Sequence, residues 1–234
     1  MTKQISKGKC ALCNAIFSKT AMTNHLKSCK QRRAASEGSS QKSGSKKIKI
    51  FHILVEGRYQ PVYWMHLEAP ADATLKELDE FFRDIWVECC GHMSAFTILE
   101  ARYITGAGID SMWLDMGFTS GGRDMDIALS KVLFLKLKFN YEYDFGTPTE
   151  LSLKVVAERD SKTGSLPIQI LARNEPPQIK CDVCGKTATQ VCRRCVMNDN
   201  GWFCDKCARK HGCGDDILLP VTNSPRVGIC GYAG

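Results

Sequence analysis

Thiol and imidazole side chains occur in this chain at spacings that suit tetrahedral metal ligation. Near the N-terminus, Cys10-x-x-Cys13 is followed after eleven residues by His25-x-x-x-Cys29. A knuckle turn presents a C-x-x-C pair, and a helix places residues i and i+4 on one face, so three thiolates and one imidazole can converge. Thirty residues are too few to bury three cysteines in a metal-free core. Towards the C-terminus, Cys181-x-x-Cys184, Cys192-x-x-Cys195 and Cys204-x-x-Cys207 precede His211 and Cys213. These eight ligands lie within 33 residues and imply two ions. Asp216 and Cys230 compete with Cys213 for the eighth position, and Cys213 is preferred. Thiolate-rich sets of this kind suit zinc, so three zinc ions are expected.

Two further groups could carry chemistry. His92 follows Cys89 and Cys90, which suggests a thiol–imidazole pair. The same residues also read as a helix C-terminus whose cysteines pack as small apolar side chains, and that reading is preferred. Asp144 could be an acid in a cleft, but an Asp before Phe-Gly at a strand end is more often a turn-former. An enzyme with a cleft near His92 and Asp144 is therefore the alternative to a non-enzymatic protein. The tail 223–234, NSPRVGICGYAG, reads as ordered, a docking strap with Cys230 as a buried thiol.

The elements around these residues define four segments. Residues 1–30 form the finger, and the Ser, Gly and Lys-rich stretch 31–47 is a linker that cannot pack a core. Residues 48–175 read as an α+β domain, and 176–234 as a cysteine-rich module with an ordered tail. Within the domain, strands are expected at 48–56, 61–68 and 95–103, and at KFNYEYDF, ELSLKVVAE and LPIQILA. Thr74 with Glu77 forms a capping box. Leu75, Leu78, Phe82, Ile85 and Cys89 then make one apolar helical face that ends at Gly91. A Gly-rich stretch precedes a second helix, expected from Asp126 to Leu135. Antiparallel strands with two helices imply one sheet with helices on one face.

Three resemblances follow from these motifs. The first tetrad resembles C2H2-type fingers in their CCHC form, with Phe17 and Met22 as the small core; the resemblance puts the base-reading positions at Ser18, Ala21 and Asn24. The C-terminal pairs resemble B-box and related cross-brace domains. That resemblance implies that Cys181, Cys184, Cys204 and Cys207 share one ion, and that Cys192, Cys195, His211 and Cys213 share the other. Sequential pairing is equally compatible with the spacing. Pro61-Val-Tyr-Trp64, Leu67-x-x-Pro70, Thr74-Leu75-x-x-Leu78, Trp86, His92, Phe96 and Tyr143-Asp-Phe-Gly146 resemble the Ri-plasmid open-reading-frame-three-like family. Its members are also met as passenger or putative resolvase proteins of mobile elements. The resemblance implies an α+β fold and no defined activity. Where that family commonly has Asp, Trp and His after Tyr-Asp-Phe-Gly, this chain has Thr147, Thr149 and Leu151.

Charge narrows the partners. Of a formal +7, residues 1–49 carry +11, residues 50–175 carry −7 and residues 176–234 carry +3. The basic region calls for an anionic partner, and no Arg occupies a base-reading position. DNA or RNA contact through residues 1–49 is therefore expected to be non-specific, with Lys19, Lys27, Lys30, Arg32 and Arg33 meeting phosphates. A protein partner is expected for residues 176–234. No run of 18 apolar residues exists, so no membrane contact is expected. MTKQISKGKC lacks an apolar signal segment, which points to the cytoplasm. The combined expectation is a zinc-binding adaptor, with the enzyme or purely structural zinc modules as alternatives.

Overall fold

The computed structural model describes residues 6–32, 48–105, 122–161, 167–198 and 200–234. Most of the linker and the Gly-rich stretch 106–121 lie outside the described residues. The chain divides into two units, residues 1–81 with 93–175 and residues 82–92 with 176–234.

The first unit is built on the apolar run IKIFHILVEG, which forms β3 (Ile48–Gly57). It pairs antiparallel with β4 (Trp64–Pro70), all seven of whose residues are buried, and with β9 (Thr149–Ser161). A strand with sheet on both sides and cover on both faces has little solvent to satisfy polar groups, which is why β3 and β4 are so rich in apolar residues. The remaining strands are β1 (Lys7–Cys10), β2 (Ile16–Ser18), β5 (Ser94–Ile98), β6 (Ala101–Ile104), β7 (Arg123–Asp124), β8 (Lys138–Tyr143) and β10 (Gln169–Asn174). The order is β2-β1-β10-β4-β3-β9-β8-β5-β6-β7. Among the described residues, pairing is antiparallel except between β6 and β7. With its short helices this is the expected α+β class.

Local differences from expectation have physical causes. The run 95–103 is a hairpin rather than one strand, because Leu99 takes φ 55° and reverses the chain between Ile98 and Ala101. Strand β4 begins at Trp64, since the Tyr63 N–H closes a turn on the Gln60 carbonyl at 3.1 Å. The second helix shrinks to α3 (Leu129–Val132), with Ala128 bridged to Thr74. In helix α2 (Leu75–Phe82) the capping box forms as read. The Thr74 N–H donates to Glu77 Oε2 at 2.6 Å, and the Glu77 N–H donates to Thr74 Oγ1 at 3.1 Å. Beyond Phe82 the chain widens into a π-turn, Arg83–Val87, closed by the Glu88 N–H on the Arg83 carbonyl. The wider turn advances the apolar face by one position, so Trp86 and Val87 are buried and Ile85 is only half-buried.

The finger is part of this sheet. Strand β1 pairs with β10 through Gly8–Asn174, Lys9–Arg173 and Cys10–Ala172. Gly8 is obligatory there, because a Cβ would sit 2.4 Å from the Arg173 carbonyl oxygen and 2.5 Å from the Trp64 ring. Helix α1 (Lys19–Ser28) lays Met22 and Leu26 on Trp64, Leu171 and Ala172. The domain therefore completes a mini-core that the finger could not close alone. Thus 1–30 is joined to 48–175 by hydrogen bonds and packing as well as by the chain between them.

Two buried polar groups lie beside this joint, and Thr23 Oγ1 on α1 is 3.4 Å from His66 Nε2. His52 Nε2 and His66 Nδ1 share a hydrogen bond of 3.0 Å. Burial, chiefly, lowers the two imidazoles to about 3 and about 4, so both stay neutral at pH 7. Glu68 accepts hydrogen bonds from Arg32, Arg159 and Gln169. Burial works to raise its carboxyl, but the two guanidiniums prevail and hold it at about 2, below its ordinary 4.5. A pKa depressed in the folded state contributes stability in full above the unfolded value and loses it as pH falls towards 2, about 3 kcal/mol in all. Denaturant unfolding of the wild type should weaken by that order between pH 5 and pH 2. Glu68→Gln should be less stable at pH 7 and lack this component of the acid dependence. Equal pH slopes for the two proteins would contradict the assignment.

Candidate metal centres

The N-terminal tetrad is set by three local structures. Cys10 ends β1, and Cys13 sits in a turn where the Asn14 N–H reaches the Cys10 carbonyl at 2.9 Å and Asn14 takes φ 61°. His25 lies on α1 and Cys29 caps it. The four donor atoms lie within 4.8 Å of one another, with Cys13 Sγ 3.3 Å from His25 Nε2. Phe17 stacks on the His25 ring at 4.6 Å and fixes its plane. Burial raises the Cys10 thiol, whereas the Ala15 N–H lowers that of Cys13.

In the second unit, β11 (Gln190–Cys192) pairs with β12 (Trp202–Phe203) on one side and β13 (Leu218–Pro220) on the other. Helix α4 (Asp205–Ala208) follows β12. Asp182 ties the knuckle of the first pair to β12, accepting the N–H groups of Gly201 and Trp202 at 2.6 and 2.8 Å. The eight ligands sort into Cys181, Cys184, Cys204 and Cys207, and Cys192, Cys195, His211 and Cys213, each set within 4.8 Å. This is the crossed pairing. Cys184 Sγ lies 3.6 Å from Cys204 Sγ, and Cys195 Sγ lies 3.6 Å from Cys213 Sγ and 3.5 Å from His211 Nε2. Cys213 is thus the eighth member, and neither Asp216 nor Cys230 belongs to the set. Burial acts to raise Cys181 and Cys192, but N–H groups aimed at the sulfurs outweigh it and bring them to about 6 and about 7. Such donors favour the thiolate form that binds metal.

A fourth tetrad is present. Cys89, Cys90, His92 and Cys230 place their donor atoms within 4.8 Å. The preferred reading of Cys89 and Cys90 as small apolar packing, with Cys230 as a buried thiol, does not hold: Cys90 is exposed, and Cys89 and Cys230 are only partly buried. Nothing in the local spacing joins residues 138 positions apart. All thirteen cysteines are free of disulfides.

The other candidate residues are dispersed. Lys19 pairs with Glu56. Arg32 donates to Glu68 and to the Leu26 carbonyl. Lys27 and Lys30 are exposed, and Arg33 lies outside the described residues. Asp144 takes φ 67°, and its Oδ1 accepts the N–H groups of Gly146 and Thr147, as a turn-former does. Among the described residues no helix is long and apolar enough to cross a membrane.

These features place the chain as an α+β protein with, among the described residues, four cysteine–histidine groups that could hold metal ions. No family model matches the chain, and no curated protein matches it. Among solved structures it is similar to a protein of unknown function, MM3350, from Methanosarcina mazei Go1. That match has 18% identity and a TM-score of 0.44, and covers 54% of this chain and 70% of the other.

The crossed pairing predicts linked losses. Cys181→Ser should open Cys184, Cys204 and Cys207 to alkylation together in the native protein, while Cys192, Cys195 and Cys213 stay protected. Residue-resolved mass spectrometry reads this directly. Opening of Cys192 and Cys195 with protection of Cys204 and Cys207 would contradict the pairing.

Proposed function

We propose that this chain is a zinc-binding, non-catalytic adaptor whose basic N-terminal region contacts nucleic-acid phosphates. The observation that carries the non-catalytic part is the composition of the tetrads. Each offers four thiolate or imidazole donors, which fills a tetrahedral ion and leaves no open position for water or substrate. Zinc is the ion such donors suit best. The kinship with mobile-element proteins suggested by Pro61–Trp64 and Tyr143–Gly146 belongs to this reading.

Phosphate contact is supported by charge rather than by any base-reading side chain. Lys19 and Arg32 are committed to Glu56 and Glu68, where they help hold the finger on the sheet. Lys27 and Lys30 remain exposed for an external anion, joined by the basic residues of the linker. The C-terminal module is the candidate protein contact, with Val183 and Met197 both 69% exposed.

Binding of the full chain to a labelled duplex should fall steeply with salt, by about −0.9 in the log–log slope for each phosphate neutralised. Lys27→Gln with Lys30→Gln should flatten that slope by roughly 2 on the same basis. Scrambled duplexes should bind as well as any other. No binding at low salt, or a strong preference for one sequence, would refute phosphate contact of this kind.

A further inference from the structure

We infer that Cys89, Cys90, His92 and Cys230 hold a fourth zinc ion, which clasps the C-terminal tail to residues 89–92. The distances fit a single ion. Zinc–sulfur bonds of about 2.3 Å and zinc–nitrogen bonds of about 2.0 Å give tetrahedral edges of about 3.8 Å between sulfurs and about 3.5 Å between sulfur and nitrogen. Here Cys89 Sγ lies 3.7 Å from Cys90 Sγ, Cys90 Sγ lies 3.6 Å from Cys230 Sγ, and Cys230 Sγ lies 3.6 Å from His92 Nε2. The Cys90–His92 edge, at 2.9 Å, is the short one. These separations match those within the other tetrads and far exceed a disulfide bond of about 2.05 Å.

The surroundings favour an anionic, metal-loaded cluster. Three thiolates with one zinc ion carry a net charge of about −1. Arg226, fully buried, places Nη2 3.3 Å from Cys89 Sγ, where a guanidinium stabilises a thiolate and disfavours nothing in the loaded state. The ligand loop is held in place beforehand. Arg83 bridges Glu88 Oε2 at 2.7 Å and the His92 carbonyl at 2.8 Å. Glu88 Oε1 accepts the Gly91 N–H at 2.6 Å, and Gly91 takes φ 77° between the thiols and the imidazole. The tail arrives by its own contacts: Trp86 Nε1 donates to the Asn223 carbonyl at 3.1 Å, and Ser224 Oγ donates to the Trp86 carbonyl at 2.6 Å. Three thiols converging on one imidazole suit ligation better than a nucleophile, which needs one sulfur and one base.

The cysteine count supports the assignment. Ten cysteines belong to the other three tetrads, and the remaining three are Cys89, Cys90 and Cys230, so the fourth site accounts for all thirteen. The inference is independent of nucleic-acid contact and shares with the other sites only their donor chemistry.

The test is zinc content of the full chain, purified without chelator, by native mass spectrometry with residue-resolved alkylation. The wild type should carry four zinc ions with all thirteen cysteines protected. Cys90→Ser with Cys230→Ser should carry three, with Cys89 newly alkylated and the other ten cysteines still protected. Because Cys90 is exposed, a zinc chelator should remove one equivalent from the wild type before the rest. Three ions in the wild type with Cys89, Cys90 and Cys230 alkylated would overturn this site alone, as would a Cys90–Cys230 disulfide. No bound zinc at all would overturn the zinc reading of every tetrad. Should the double variant fail to fold, the wild-type count and protection pattern decide the question.

Discussion

A three-stranded sheet whose strands are two and three residues long cannot hold itself together by burying apolar surface. That constraint governs the part of the C-terminal unit that carries its two cysteine-rich tetrads. Around the tetrads its buried side chains are Cys181, Cys192, Phe203 and Ala208, with Ile217 and Leu218 only partly covered, while Trp86, Val87, Val191, Val227 and Tyr232 are buried elsewhere in the unit. Isolated hairpins and cores of this size are marginal in water. With the proposed zinc bound, ligand bonds would supply what burial there does not, since a structural zinc site in a small domain contributes roughly 10–16 kcal/mol of apparent binding energy at neutral pH. In the crossed arrangement each proposed ion would tie together segments that the other also flanks.

The finger solves the same problem differently. It has one tetrad and too few residues for a core, and it borrows Trp64, Leu171 and Ala172 from the large sheet. The consequence for function is electrostatic. Two of its cations, at Lys19 and Arg32, are turned inward to carboxylates of the domain, so the basic region has fewer charges to offer a partner than its sequence total suggests. A rigidly seated finger also presents its exposed face at a fixed angle, whereas a tethered one would search for a ligand.

Legibility from sequence followed the range of the interaction. The capping box at Thr74 and Glu77, the central strand at 48–57 and the ligand pairs with C-x-x-C spacing are set by residues within one or two turns, and each was readable. Crossed pairing of the C-terminal ligands entered only through likeness to cross-brace domains, because spacing alone leaves sequential pairing open. The hairpin at Leu99 was hidden because an apolar residue with positive φ gives no turn signal of the Gly or Asn kind. The π-turn at 83–87 was hidden because an apolar run does not reveal a one-residue change of phase. The joint between Gly8 and Trp64, and the meeting of His92 with Cys230, depend on long-range topology, on which periodicity is silent.

Metal ions at the centres of the cysteine–histidine tetrads are the central proposal, and anomalous scattering tests it most directly. Diffraction from crystals of the full chain, collected on either side of the zinc absorption edge, should give one difference peak inside each tetrad, with ligand bonds of about 2.3 Å to sulfur and about 2.0 Å to nitrogen. Tetrads without anomalous density, or with their sulfurs joined as disulfides, would contradict it.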